Sequence, residues 1–243
     1  MDPCKSEIID QLKKDILPLQ GLKTLSTDNQ VNLGFRPMEI AFPRATFPIG
    51  CTHEFLSAPQ HAASTTGFIA VLLGKLMQKG GAAVWISTSR TLFPPVLNRF
   101  GAEPDKIIFI DLKKEKDTLY TIEEALKCRQ LTTVIGEIDQ ISFKESRRLQ
   151  LAAEQSRVTG LLIRRGQPVL NTIACVSRWR ITSLPGELND GMPGVGFPRW
   201  NVELLKIRNG QPGTWKVEWS SNRLKEIREN VFSIQQIQQQ KTG

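Results

Sequence analysis

The 243-residue chain is long enough for one large domain or two small ones, and a core of that size needs no disulfide or metal to hold it. Its hydrophobic content of 40% and charged content of 23% belong to an ordinary globular protein, with no stretch that reads as a signal peptide or a membrane span. A net charge of +8 points to polyanionic or acidic partners, nucleic acid first, and argues for proximity to it rather than sequence-specific reading.

Four cysteines (Cys4, Cys51, Cys128 and Cys175) are too scattered for a zinc site or a disulfide framework. Reduced thiols in a cytoplasmic protein are the expectation, with no membrane partner.

In chain order, residues 4–17 carry Ile8, Ile9, Leu12, Ile16 and Leu17 at helical spacing, and Pro18 ends this predicted amphipathic helix. A polar linker follows to Gln30, so residues 1–30 read as an N-terminal helix and linker that docks on a partner, on another copy or back on its own domain. Gly34, Pro37, Pro43 and Pro48 leave residues 31–50 no room for long elements, and the compact domain is expected to start near Val31. Short apolar runs then alternate with helical patterns. Strands are predicted over 53–57, 82–87, 107–111, 133–138 and 160–164, and helices over 65–78, 93–100, 121–128 and 143–156. Near-continuous apolar strands alternating with helices specify an α/β fold, a mainly parallel sheet flanked by helices. The pattern then changes to antiparallel strands over 173–183, 200–208 and 213–220. A mobile loop is expected over 184–199, and a tight turn at Asn209-Gly210. Residues 31–221 read as one core, and 222–243 as a polar tail, either frayed or a partner-binding peptide.

The stretch from His53 to Gly67 has the strand–turn–helix grammar of a phosphate-binding loop. A working loop needs Gly, four residues, Gly, Lys, then Ser or Thr. The glycines let backbone N–H groups surround the phosphates, the lysine reaches the outer ones, and the hydroxyl holds magnesium. The same register here reads Ala58, Ala63, Ser64 and Thr65. Hydroxyls survive in Ser64, Thr65 and Thr66, while both glycines and the lysine are absent. Losing the lysine removes a charge-assisted phosphate contact, and Ala63 adds a methyl group where backbone must approach phosphate. Lys75 lies too far along the helix to replace the lysine, and Arg90 is a conceivable stand-in. Of the two histidines, His53 is expected to be structural, and His61 a solvent-exposed turn residue.

Several stretches together resemble the ImuA-like family, the RecA- and SulA-related proteins of the bacterial SOS mutagenesis cassette. Phe47-Pro48-Ile49-Gly50-Cys51-Thr52-His53-Glu54 is similar to the family's lead-in. Phe100-Gly101-Ala102-Glu103-Pro104-Asp105, running into the apolar 107–109, resembles its next step. The helix–strand pair from Ser146 to Arg164 and the hairpin from Trp200 to Trp215 complete the set, over roughly residues 30–220. The resemblance implies a RecA-like core with a C-terminal antiparallel extension.

It also implies where an ATPase would keep its chemistry. The lysine position is Ser64, the water-orienting carboxylate would fall near Ser89, and an acid ending a later strand survives as Glu137 or Asp139. Two losses in one site mark the loop as retired, with Ser64, Thr65, Thr66 and Glu137 as vestigial contacts and no catalytic residue, metal or cofactor expected; ATP with magnesium would be a departure. Arginines gather in the C-terminal half. Arg147, Arg148, Arg164, Arg165, Arg178 and Arg180 are the candidate surface for a partner or for weak, non-specific, salt-sensitive DNA contact. The segments after the fourth and fifth strands are too short to clasp DNA as a recombinase does. The function implied is an adaptor between a RecA-type recombinase and an ImuB-like Y-family protein, with a C-family polymerase in the same assembly. An ATP-binding repair regulator and a SulA-like division inhibitor are the alternatives.

Overall fold

The computed structural model describes residues 31–89, 91–166, 171–187 and 196–227. The predicted helix over 4–17 and its linker, Arg90, most of the predicted 184–199 loop and the Gln-rich tail lie outside the described residues.

Nine strands form one mixed sheet in the order β3-β2-β4-β5-β1-β6-β7-β8-β9. The strands are β1 (Thr52–Ser57), β2 (Ala82–Ser87), β3 (Ile107–Asp111), β4 (Leu131–Ile138), β5 (Thr159–Arg165), β6 (Ser177–Leu184), β7 (Arg199–Ile207), β8 (Gly213–Ser220) and β9 (Arg223–Glu226). The pairs from β3 across to β6 are parallel, and those from β6 to β9 antiparallel. The α/β expectation holds, as a mainly parallel sheet with an antiparallel extension.

Alternation along the strands divides the core into two layers. Trp85, Ile135, Leu161 and Ile163 point to one face, where α2 (Ala62–Leu76) lies with the segment from Val31 to Phe47, which includes the single turn α1 (Arg36–Glu39). Val84, Ile86, Val134 and Leu162 point to the other, under α3 (Glu115–Lys127) and α4 (Phe143–Ser156). This two-residue period with both faces apolar is what a sheet covered on both sides requires. Close docking of α3 depends on Gly136, where a Cβ would stand 2.2 Å from the Ile122 Cδ1.

Helix α4 matches its prediction, because its start is written locally. The Ser142 hydroxyl accepts from the Glu145 N–H at 3.2 Å while the Glu145 carboxylate accepts from the Ser142 N–H at 2.8 Å, a complete capping box. Three other readings change. The helix expected over 93–100 is a 3-10 turn, Pro94–Phe100, since Pro94 and Pro95 have no N–H with which to build an α-helical ladder. Helix α3 begins six residues earlier than its apolar pattern, because its first turn is charged. The core also runs past residue 221. Ser221 and Asn222, both at positive φ, make a two-residue hairpin turn that returns β9 along β8, with Leu224 buried opposite Trp219.

Candidate functional site

Strand β1 is buried along its whole length between β5 and β6, and its carboxyl end delivers the chain to the degenerate loop. There the turn closes on itself. Pro59 has no N–H, the His61 N–H donates to the Ala58 carbonyl at 2.9 Å, and the Ala62 N–H donates to the Pro59 carbonyl. A phosphate cradle needs those donors free and converging on the ligand. The hydroxyls are no better placed. Thr65 is buried and donates to the His61 carbonyl at 3.2 Å, and Ser64 is not among the residues lining the cleft beside the loop. Thr66 alone of the three lines it. His61 is pinned, its Nδ1 accepting from the Ser183 N–H at 3.2 Å, so the expected free turn residue ties the loop to the end of β6.

The cleft has a volume of about 660 Å³. Ala62, Ala63, Gly67 and Ala70 of α2 form one wall, Leu92, Val96 and Phe100 the other, and Glu137, Ile163 and Arg165 the floor. Phe93 stands at the rim, 69% exposed. Gly67 lets the walls approach, since a Cβ there would meet Trp200 at 3.1 Å and Phe100 at 3.2 Å.

On the floor, the Glu137 carboxylate accepts from the Trp85 indole N–H at 2.6 Å and forms an ion pair with Arg165. Arg165 also donates to the Ser89 hydroxyl. Burial pushes the Glu137 carboxyl above its usual range, while Trp85 and Arg165 pull it back. The two positions where an ATPase keeps acids are thus joined by one guanidinium. Asp139, the other candidate acid, is exposed, and its backbone N–H donates to Glu115 at 2.8 Å. These residues do not fit ATP with magnesium: a divalent cation needs carboxylate oxygens, and the one buried carboxylate on the floor is held by Arg165.

Beneath the opposite face lies a second charged cluster that the sequence did not disclose. Glu54, fully buried, pairs with Arg164 at 3.0 Å and with Arg178. Arg164 also donates to Asn171 at 2.9 Å and to Gln140 at 3.0 Å, and Asn171 donates to the Ile141 carbonyl. The segments after β4 and β5 are thereby tied to the central strand. The expectation of Arg164 as a surface residue is corrected: it is 0% exposed, because it must neutralise a carboxylate taken wholly out of water. Arg178 is largely covered for the same reason.

The remaining arginines do not join into one patch. Arg180 lies 3.7 Å from Glu203, while Arg147 and Arg148 are exposed on α4, Arg148 paired with Glu123.

His53 is structural, as expected. The Trp179 indole donates to the Ser177 hydroxyl at 2.7 Å, that hydroxyl lies 2.6 Å from His53 Nδ1, and Nε2 lies 2.8 Å from the Pro48 carbonyl. A carbonyl only accepts, so the proton sits on Nε2 and the buried ring is neutral, its pKa lowered to about 4 by burial. The lead-in histidine and glutamate therefore staple β1 into the sheet. Among the described residues, no group of three or more His, Cys, Asp or Glu is placed to hold a metal ion, and no helix is long and apolar enough to cross a membrane.

Comparison with known proteins gives the chain its relatives. No family model matches it. It is 31% identical over 198 residues to Protein ImuA of Caulobacter vibrioides, in each of two strains, covering 76% of this chain and 81% of the relative. It is also 31% identical over 97 residues to Cell division inhibitor SulA of Photorhabdus laumondii, covering 39% of this chain and 55% of that protein.

Proposed function

The chain belongs to the ImuA family of SOS mutagenesis proteins, and from that premise we propose that it is a non-catalytic adaptor in error-prone translesion synthesis. It is built on a RecA-like core, and it joins a RecA-type recombinase to an ImuB-like Y-family protein in an assembly with a C-family polymerase. The observation that carries the non-catalytic part is Arg165, whose guanidinium engages Glu137 and Ser89 together. A cation fixed on the surviving acid takes the charge that a metal would neutralise. The loop N–H groups bonded within their own turn support the same reading, as does the apolar lining of the cleft. Five parallel α/β strands in the order β3-β2-β4-β5-β1, continued by β6 and an antiparallel extension, support the RecA-like assignment.

A protein without a phosphate cradle acts through its surfaces, inside a cytoplasmic complex. The test is binding of the purified chain to the purified ImuB-like protein and recombinase, with and without millimolar Mg-ATP. Binding to at least one of them, unchanged by nucleotide and with no calorimetric heat from Mg-ATP alone, is the expected result. No binding to either sinks the adaptor reading, and a nucleotide-dependent affinity replaces it with an ATP-switched regulator. The partial likeness to a SulA protein favours one further reading, a division inhibitor, which cell filamentation on overexpression would reveal.

A further inference from the structure

Helices α3 and α4 cover the face of the sheet opposite the cleft, and between them runs a groove of about 200 Å³. Leu119 and Tyr120 of α3 and Leu149 of α4 give it an apolar lining, and Tyr120 is 65% exposed. Next to the groove, the exposed side of α4 carries Phe143, Arg147 and Leu151 at a spacing of four residues, with Lys144 beside them. That spacing makes one continuous stripe on a helix, here apolar at both ends and basic in the middle.

Charge on this face is unbalanced. Both carboxylates in the groove are engaged: Glu123 pairs with Arg148 and Lys127, and Glu145 closes the capping box with Ser142. Lys116 at the groove and Lys144 and Arg147 on α4 have no hydrogen-bond or ion-pair partner among the described residues. A face with three uncompensated cations around an apolar groove is complementary to a surface with the opposite charge and its own apolar anchors.

We propose that the α3–α4 face docks an acidic amphipathic helix of a protein partner. Apolar side chains of that helix lie against Leu119, Tyr120 and Leu149, and its carboxylates meet Lys116, Lys144 and Arg147. The proposal rests on the adaptor reading and names the surface that performs it. Protein is favoured over nucleic acid because leucines offer neither a stacking plane for bases nor a donor for phosphate. A groove between two helices is also the shape that receives a third.

The test uses the full chain, a Lys116→Glu/Lys144→Glu/Arg147→Glu variant and a Tyr120→Ser/Leu151→Ser variant. Each is titrated against the purified ImuB-like protein, the purified RecA-type recombinase and a single-stranded oligonucleotide. Both variants are expected to bind one of the two proteins about tenfold more weakly or worse, and the charge variant to lose the salt dependence of the association rate. Oligonucleotide binding should not change. All five positions are exposed, so melting should match the parent, and Arg147→Glu alone serves if the triple variant melts early. Undiminished protein binding by both variants overturns the docking face while leaving the adaptor reading intact. A loss confined to the oligonucleotide overturns it in favour of a nucleic-acid surface. A loss confined to the charge variant overturns the amphipathic partner. A parent chain that binds neither protein removes the adaptor reading and this proposal together.

Discussion

Two adjacent residues of β5, Arg164 and Arg165, point to opposite faces of the sheet, and each meets a glutamate. Arg164 reaches Glu54 on the face covered by α3 and α4, and Arg165 reaches Glu137 on the cleft face. The first pair is wholly buried, and every neighbour is a group that anchors a strand or a loop end. The second opens on a cleft, with the Arg165 side chain 27% exposed. Surroundings therefore decide what a glutamate–arginine pair does. In the dry interior it fixes architecture; at the edge of a cavity it occupies a site that could otherwise hold a ligand's charge.

The largest effect should come from the buried side. Arg164→Met leaves the Glu54 carboxylate with a partner only in Arg178, and breaking a buried pair costs about 3–5 kcal/mol. Urea denaturation should show that loss; a change below about 1 kcal/mol would place Glu54 in contact with water and erase the contrast.

Next is the neutral imidazole in the same strand. The folded-state pKa of His53, about 4, lies below its ordinary value of 6.5, so the unfolded chain binds the proton more readily between them. Stability from the neutral ring is complete above pH 6.5 and is lost as pH falls through 6.5 toward 4. The loss should approach about 3 kcal/mol. Denaturation midpoints from pH 7.5 to about 4.5 should fall in the parent and fall less in a His53→Gln variant. Equal slopes would mean that other groups carry the acid sensitivity.

On the cleft side the effects should be smaller. Arg165→Ala leaves Glu137 with Trp85, and because the pair is half-open to water the cost should be about 1–2 kcal/mol. If it equals that of Arg164→Met, the two faces do not differ as the structure says. Calorimetry of the same variant with Mg-ATP should still show no heat, since the loop donors remain bonded to one another. Smallest of all is Phe93→Ser at the rim, within about 0.5 kcal/mol of the parent in thermal melting. A larger loss would show that the rim is part of the core.

By itself the sequence determined the α/β class, the apolar strands, the box that starts α4 and the missing phosphate-loop lysine. These are local properties, written in periodicity, capping residues and single positions. Its errors were also local in origin: Pro94-Pro95 counted as helix, and Ser221-Asn222 was not recognised as a turn.

Only the tertiary structure decided which charge meets which. Glu54 and Arg164 are 110 residues apart, and no spacing rule connects them. Nor can composition tell a buried arginine from its exposed neighbour in a run such as Arg164-Arg165. Alternation along a strand sends consecutive side chains to opposite faces, but what waits on each face is set by the order in which the strands assemble. The retired loop shows the same division. The lost lysine was plain in the sequence, whereas the guanidinium that closes on Glu137 required β5, β4 and β2 to lie side by side.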